Sequence, residues 1–192
     1  MQRRAVVEAL LADRGGLLVV AGLGSTAWDI TAAGDTPLNF PLWGAMGNAA
    51  MVGLGLALAQ PSRRVLVLTG DGEMLMGLGS LATIGVQKPA NLAVVVIDNE
   101  HYGETGMQAT HTASGVDLAK IALASGFASA QVIRDAAALP ALRKAIHGAA
   151  GPVFAQVKVQ AEKLPLVLPP RDGGILKARF RRAVLGEEAD LA

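Results

Sequence analysis

The stretch of sequence that decides the fold is "TGDGEMLMGLGSLATIGVQKPANLAVVVIDNEHYGETG", from Thr69 to Gly106. It begins at the end of one apolar run, "RVLVLTG" (Arg64–Gly70), and contains a second, "NLAVVVID" (Asn91–Asp98). Runs that are apolar at every position are typical of strands buried on both faces of a sheet. We expect a helix between them, over Glu73 to Gly85. The stretch therefore predicts a strand–helix–strand unit with parallel strands.

The same alternation continues along the rest of the chain. The runs "GLLVVAG" (Gly16–Gly22) and "PVFAQVKV" (Pro152–Val159) predict a first and a last strand. Helices are expected over residues 2–11, 27–33, 49–59, 117–125 and 135–147. We therefore predict an α/β fold with three α/β/α layers around a mainly parallel central sheet.

Residues 1–163 are expected to form one domain, and residues 164–192 a C-terminal tail. The tail starts with the Pro-rich "LPLVLPP" (Leu164–Pro170) and then becomes charged, so we expect it to leave the core. We predict that it docks on a partner or neighbouring subunit, with a solvated tail as the alternative. Its basic residues are Arg171, Lys177, Arg179, Arg181 and Arg182.

The composition restricts the classes of function. The chain has 192 residues, of which 52% are hydrophobic and 17% charged, and this apolar balance indicates a buried interface. No apolar run reaches the roughly 18 to 20 residues of a membrane span. A net charge of +1 and 4% aromatic residues argue against a nucleic-acid partner. The absence of cysteine excludes disulfides and thiolate chemistry, and we expect a cytoplasmic protein.

The Gly-Asp-Gly at residues 70–72 follows a buried strand. Its glycines allow a ligand to approach the backbone, and the N–H groups of the next helix favour an anion such as a diphosphate. On its own the motif is equally compatible with a structural turn. Twenty-six residues separate Gly72 from Asn99, which is enough for one helix and one strand. Asp71 and Asn99 would then meet at one edge of the sheet and supply oxygen ligands that suit Mg²⁺.

The Gly-Asp-Gly and the Asn at this spacing resemble the diphosphate-binding motif of thiamine diphosphate enzymes. "LWGAMGNAAMVGLGLALA" (Leu42–Ala59) is similar to the segment of that family that holds the aminopyrimidine ring, and "GLGST" (Gly22–Thr26) to its first diphosphate loop. The phrases "GAMG", "LATIGVQKPANL" and "DNEHYGETGMQ" are most similar to the sulfopyruvate and phosphonopyruvate decarboxylases. The resemblance covers roughly Gly16 to Val159 and implies the diphosphate-binding domain.

The resemblance implies a role for each matching position. Mg²⁺ would be bound by the side chains of Asp71 and Asn99 and by the backbone carbonyl of His101. Met46 would be the apolar prop that bends the cofactor, and the Gly44 carbonyl would accept a hydrogen bond from its 4′-amino group. The full set expected at thiamine diphosphate is Gly24, Ser25, Gly44, Met46, Gly70, Gly72, Glu73, Tyr102, Gly103 and Glu104.

Two features depart from the family or are missing from the chain. Glu73 stands where a small residue is frequent, so its carboxylate must point away from the diphosphate. The glutamate that activates the cofactor in this family resides on a separate pyrimidine-binding domain, and we expect no catalytic residue of that kind here. His111 is a possible substrate contact, with a surface histidine as the alternative.

The resemblance therefore implies a subunit of a decarboxylase that acts on a 2-oxo acid with an anionic tail. A pyrimidine-binding subunit would complete the hetero-oligomer. The alternatives are a subunit of a carboligase or of a 2-oxoacid oxidoreductase, and a non-catalytic module that binds thiamine diphosphate. An NAD-binding domain is disfavoured because no acid closes a second strand at the required place.

Overall fold

The computed structural model describes residues 1–190, and its centre is a six-stranded parallel sheet. The strands are β1 (Leu18–Ala21), β2 (Asn39–Pro41), β3 (Val65–Gly70), β4 (Leu92–Asp98), β7 (Ser129–Ile133) and β8 (Val153–Lys158). A separate hairpin pairs β5 (His101–Tyr102) with β6 (Gln108–Ala109). The order across the sheet is β2-β1-β3-β4-β8-β7. The predicted α/β fold with a parallel central sheet is confirmed.

Helices cover both faces of the sheet. They are α1 (Arg3–Leu11), α2 (Ser25–Ala32), α3 (Ala49–Ala59), α4 (Asp71–Met76), α5 (Gly79–Gln87), α6 (Leu118–Ala124), α7 (Leu139–Gly148) and α8 (Gly173–Leu185). Alternate residues of each strand enter opposite cores, so Val19 packs with α1, α2 and α7, whereas Val20 packs with α3, α5 and α6. This double burial explains why the central strands are apolar at nearly every position.

Three details of the predicted elements are corrected. The helix expected over Glu73 to Gly85 is divided into α4 and α5, and α4 ends with its C-cap at Gly77, where a Cβ would lie 2.9 Å from the carbonyl carbon of Gly47. The helix expected over residues 135–147 begins as an α-helix only at Leu139, after a short 3₁₀ turn that Asp135 caps. Strands β2 and β7 were not predicted.

The C-terminal segment does not leave the core, contrary to the expectation for residues 164–192. Helix α8 buries Leu176 and Phe180, and the Phe180 ring lies 5.1 Å from the ring of Phe40, which belongs to β2. Arg179 also forms an ion pair with Asp35. The segment therefore folds back onto its own domain, and a contact with another subunit stays a prediction.

None of the helices in the described part of the chain is both long and apolar enough to cross a membrane.

Candidate functional site

A cavity of about 420 Å³ lies at the carboxyl ends of β1, β3 and β4. The chain runs from β1 to β2 on one side and then to β3 on the other, so the sheet order reverses between β1 and β3. Such reversal points are where ligands bind in parallel sheets. Residues after β1, β3 and β4 line the cavity together with the hairpin and a segment near the C-terminus.

Asp71 is the acid at the floor of the cavity, and it is only 2% exposed. Thr110 donates a hydrogen bond to its Oδ2, and the Thr112 hydroxyl lies 3.3 Å from the same atom. Burial raises the pKa of Asp71 to about 6; the nearby carboxylate of Asp98 adds to the rise, and the two hydroxyl groups oppose it. Both hydroxyl groups contact Oδ2, and no side chain of the described residues donates a hydrogen bond to the other oxygen, Oδ1.

Asp98 is fully buried behind Asp71 and is saturated with hydrogen bonds. Thr112 Oγ1 donates to its Oδ1 at 2.8 Å, and Gln156 Nε2 donates to its Oδ2 at 2.6 Å. Lys158 Nζ lies 2.7 Å from the same Oδ2. Burial alone would lower the pKa of Lys158, but hydrogen bonds to Asp98 and Glu100 outweigh it and raise the pKa. We call this cluster the acidic end of the cavity: Asp71, Asp98, Thr110, Thr112, Gln156 and Lys158.

Asn99 begins the turn between β4 and β5. Its Oδ1 accepts a hydrogen bond from the His101 backbone N–H at 3.0 Å. The His101 ring is held within the same turn, with Nδ1 2.8 Å from the Asn99 carbonyl oxygen. Both residues line the cavity beside Asp71. The structure therefore brings the three predicted metal ligands together, and it leaves the imidazole of His101 with a local role.

An oxygen donor set of this kind fits Mg²⁺. The set comprises one carboxylate, one amide oxygen and one backbone carbonyl, which are ligands that Mg²⁺ accepts when phosphate and water complete its octahedron. A desolvated carboxylate with a raised pKa is also stabilised by a bound cation. Among residues 1–190 there is no group of three or more His, Cys, Asp or Glu side chains that would form a carboxylate-rich or imidazole-rich site.

The loop after β1 approaches the cavity through two glycines. Gly24, which precedes α2, has a φ of 74°, a conformation that favours glycine. Thr26 Oγ1 donates to the Gly22 carbonyl at 2.8 Å and fixes the start of the helix. A Cβ on Gly24 would meet the carboxylate of Glu104 at 2.9 Å. Ser25 lines the cavity next to this point.

Glu73 and Tyr102 cover the Gly-Asp-Gly turn. A Cβ on Gly72 would lie 2.7 Å from Tyr102 Cδ1, so the glycine is needed for the tyrosine ring as well as for a ligand. The Glu73 carboxylate turns back toward β1 and β3, where Thr69 Oγ1 donates to it at 2.9 Å. Burial raises the pKa of Glu73, and the Thr69 hydroxyl and facing backbone N–H groups oppose that rise.

The loop of residues 42–48, which we call the apolar loop, forms the opposite end of the cavity. Met46 lines the cavity and is partly buried, whereas Gly44 and Ala45 are exposed. Asn48 Nδ2 donates to the carbonyls of Ala45 and Met46, at 3.1 and 3.4 Å. The loop thus presents one large apolar side chain to the cavity and little polar structure around it.

Sequence reasoning missed one wall of the cavity, which is formed by residues 162–166. This segment follows β8, has no regular secondary structure, and lines the cavity through Glu162, Lys163, Leu164 and Leu166. Its Glu162 accepts a hydrogen bond from the Arg3 backbone N–H at 3.0 Å, and Arg3 itself pairs with buried Asp29. Lys163 also lines the cavity and makes no ion pair with the described residues. No motif marks this wall; only the fold brings it to the site.

Most of the predicted site residues meet at this cavity. The lining formed by residues 1–190 includes Ser25, Met46, Gly70, Asp71, Gly72, Glu73, Asn99, His101, Tyr102, Gly103 and Glu104. It does not include Gly24, Gly44 or His111. His111 is exposed at the start of a 3₁₀ turn that follows the hairpin. Its role as a substrate contact stays a prediction.

Comparison with known proteins gives consistent matches. A family model described as "Thiamine pyrophosphate enzyme, C-terminal TPP binding domain" matches residues 24–157. Sulfopyruvate decarboxylase subunit beta of Methanothermobacter thermautotrophicus is 40% identical over 173 residues, which is 90% of each chain. Phosphonopyruvate decarboxylase of Streptomyces viridochromogenes is 44% identical over 126 residues, which is 65% of this chain and 31% of that enzyme.

The solved structure of benzoylformate decarboxylase from Polynucleobacter necessarius superposes with a TM-score of 0.69 at 22% identity. The match covers 85% of this chain and 34% of that one, and it supports the fold. The chain therefore spans nearly all of the beta subunit but only about a third of the two larger decarboxylases.

Proposed function

The chain belongs to the thiamine pyrophosphate enzyme family, and from this premise we infer that it is the cofactor-binding subunit of a decarboxylase that acts on 2-oxo acids. The single observation that carries the proposal is the acidic end of the cavity. There Asp71, whose side-chain donors both contact Oδ2, lines the cavity together with Asn99 and His101. Relatives named as sulfopyruvate and phosphonopyruvate decarboxylases support the same reaction class.

Asp71, Asn99 and the His101 carbonyl would hold Mg²⁺, and the loops at Ser25 and Gly72 would hold the diphosphate. When bound, thiamine diphosphate supplies the electron sink that decarboxylation of a 2-oxo acid requires. The protein would orient this group and exclude water. Met46 would do so from the apolar loop, and the Tyr102 ring would close the side above Gly72.

We further propose that a pyrimidine-binding subunit completes the site and supplies the activating glutamate. Glu73, Glu104 and Glu162 line the cavity, but Glu73 accepts from Thr69 and Glu162 accepts from Arg3, while Glu104 lies against Gly24. Two of these glutamates are thus engaged in holding this chain together, and the third faces the first diphosphate loop. A glutamate from another chain would complete the open end of the site.

The outer face of α3, α4 and α5 supports a partner of this kind. The sequence has no charged residue over 36–62 or over 74–87, yet parts of these segments are at the surface. Leu58 is 50% exposed, Met76 67% and Val86 77%. Depletion of charge among exposed apolar residues is typical of the centre of a protein–protein interface. The relative from Methanothermobacter thermautotrophicus, matched over 90% of its length, is itself named as a beta subunit, which supports a second subunit here.

A substrate with an anionic tail fits the wall of residues 162–166. Lys163 is an exposed residue of the cavity lining and makes no ion pair with the described residues, so its ammonium group would be available to a ligand. Such a group would attract a sulfonate or phosphonate as well as the carboxylate of the substrate. The location in the cytoplasm and the docking of the C-terminal segment on another subunit remain parts of the same proposal.

The decisive experiment is to titrate thiamine diphosphate into the isolated chain, with Mg²⁺ and with EDTA, by calorimetry. The native complex is then purified and assayed for CO₂ release from sulfopyruvate, phosphonopyruvate and pyruvate. We expect Mg²⁺-dependent binding, no CO₂ release by the chain alone, and release by the complex.

Three results would contradict parts of the proposal. Turnover by the isolated chain at ordinary enzymic rates would remove the need for a second subunit. A failure to bind the cofactor even within the complex would favour a non-catalytic module. A ligated 2-hydroxy ketone as the product would identify a carboligase.

A further inference from the structure

We propose that Glu73 is a positioning residue that occupies the space of a missing side chain at Gly22 and ties together the three loops around the cofactor cavity. The assignment of these loops to the cofactor rests on the proposed function. The tie itself rests on contacts within this chain.

Gly22 and Glu73 are sterically complementary. A Cβ built on Gly22 would lie 2.7 Å from Glu73 Cδ and closer still to Oε2. The φ of Gly22 is not in the left-handed region, so the backbone alone does not demand a glycine there. A glycine is required at position 22 because the Glu73 carboxylate occupies the space that a Cβ would take. A larger residue at position 22 would push the end of the Glu73 side chain out of its place.

The Glu73 carboxylate lies beside three separate parts of the cavity. It accepts a hydrogen bond from Thr69 Oγ1, at the end of β3. Backbone N–H groups of Ala49 and Gly47, around the start of α3, and of Leu23, after β1, also face it. These parts are the loop after β1, the end of the apolar loop, and the turn that carries Asp71. One side chain therefore links the elements expected at the diphosphate, the pyrimidine and the metal.

Glu73 is suited to this role by its burial. It is 5% exposed although it lines the cavity. Its Oε1 makes no hydrogen bond of standard geometry with residues 1–190. A buried acceptor without a hydrogen-bond partner lowers the stability of the fold. We therefore attribute the placement of this carboxylate to its role in positioning the loops and not to a gain in stability.

Glu104 provides an internal comparison. It is also a glutamate of the cavity lining, and it lies against Gly24 rather than Gly22. Glu104 is exposed, and Gly24 has a positive φ that favours glycine without regard to any neighbour. A coupling between residues 22 and 73 should therefore be absent between residues 22 and 104.

The test is a double-mutant cycle on the full chain with Gly22→Ala, Glu73→Ala and the double variant. The readouts are the Kd for thiamine diphosphate with Mg²⁺ and the midpoint of chemical unfolding without ligand. We expect each single change to weaken cofactor binding about tenfold, which corresponds to about 1.4 kcal/mol. In the Glu73→Ala background, Gly22→Ala should change the Kd less than about twofold, because the carboxylate that it displaces is gone.

Two further variants keep the proposal falsifiable. Glu73→Gln has nearly the same shape and should stay within about threefold of the wild-type Kd. Gly22→Ala in a Glu104→Ala background should keep its full tenfold effect. Additive effects of the changes at positions 22 and 73, or a Glu73→Gln variant as weak as Glu73→Ala, would overturn the tie. If the wild-type chain binds no thiamine diphosphate, the proposed function fails, and the cycle measured by unfolding still decides whether the tie exists.

Discussion

At the acidic end of the cavity, polar side chains from distant parts of the chain hold one another in place. The Asp98 carboxylate accepts hydrogen bonds from Thr112, Gln156 and Lys158. The Asp71 carboxylate accepts one from Thr110. At the apolar loop, by contrast, Gly44 and Ala45 are exposed, and the only side-chain donor among residues 42–48 that bonds within the loop is Asn48.

The contrast indicates which part of the chemistry this chain completes alone. Metal ions need fixed ligands at short distances, and a rigid network of hydrogen bonds provides them. An organic ring held by apolar contacts needs a wall on both sides, and the apolar loop provides one. We therefore expect the acidic end to bind Mg²⁺ in the isolated chain. Binding of the pyrimidine ring at the apolar loop should depend on the partner.

The largest effect is expected from Asp71→Ala, which removes the carboxylate at the floor of the cavity. Mg²⁺-dependent binding of thiamine diphosphate by the isolated chain should weaken about a hundredfold or more, which is about 2.8 kcal/mol. Calorimetric titration with and without EDTA measures this affinity for thiamine diphosphate. The control is Asp117→Ala, which removes a half-exposed cap of α6 outside the cavity. If the Asp71 variant bound thiamine diphosphate with unchanged affinity, the acidic end would not be part of the cofactor site.

A smaller effect is expected from Thr112→Val, which leaves both carboxylates but removes a hydroxyl that contacts them. Residues that orient metal ligands typically change metal affinity about 10- to 100-fold. We expect about a tenfold loss of Mg²⁺ affinity in the presence of thiamine diphosphate. Thr83→Val, an equal change on the exposed side of α5, is the matched control. Equal Mg²⁺ affinities of the two variants would mean that the Thr112 hydroxyl does not help the acidic end to bind the metal.

The smallest effect on affinity is expected from Met46→Ala, at the opposite end of the cavity. The diphosphate contacts remain, so the Kd for the cofactor should change by no more than about threefold, or about 0.7 kcal/mol. Loss of the prop should instead slow H/D exchange at C2 of the cofactor in the complete complex. Met46→Leu keeps a bulky apolar side chain and should exchange at nearly the wild-type rate. Fast exchange in the alanine variant would deprive Met46 of its proposed role.

The sequence predicted those parts of the fold in which local pattern and burial agree. The strands β1, β3, β4 and β8 lie inside the sheet, and their largely apolar runs predicted this burial. Strand β7 lies at the edge and is largely exposed at Ser129 and Gln131, so it lacks such a run. Strand β2 has three residues, too few for a pattern.

The site shows the same division. Motifs predicted the residues that would touch the cofactor, and the resemblance to the thiamine diphosphate enzymes is confirmed. The residues that support them were missed because they are far apart in the chain; Gln156 and Asp98 are 58 positions apart. A polar Gln156 within an otherwise apolar strand was the available signal. The close approach of Gly77 to Gly47, at the break between α4 and α5, joins positions 30 residues apart and is likewise not visible in the sequence.

The wall of residues 162–166 has a consequence for how the protein is made. These residues follow every strand of the sheet in the chain, and Glu162 must reach back 159 positions to meet Arg3. Because a polypeptide emerges from the ribosome N-terminus first, the sheet and the acidic end of the cavity can form before this wall does. We therefore expect the nascent chain to pass through a stage in which the residue 162–166 side of the cavity is still open. Cofactor loading before release would have to use that opening, and loading afterwards would have to use the mouth that the wall leaves.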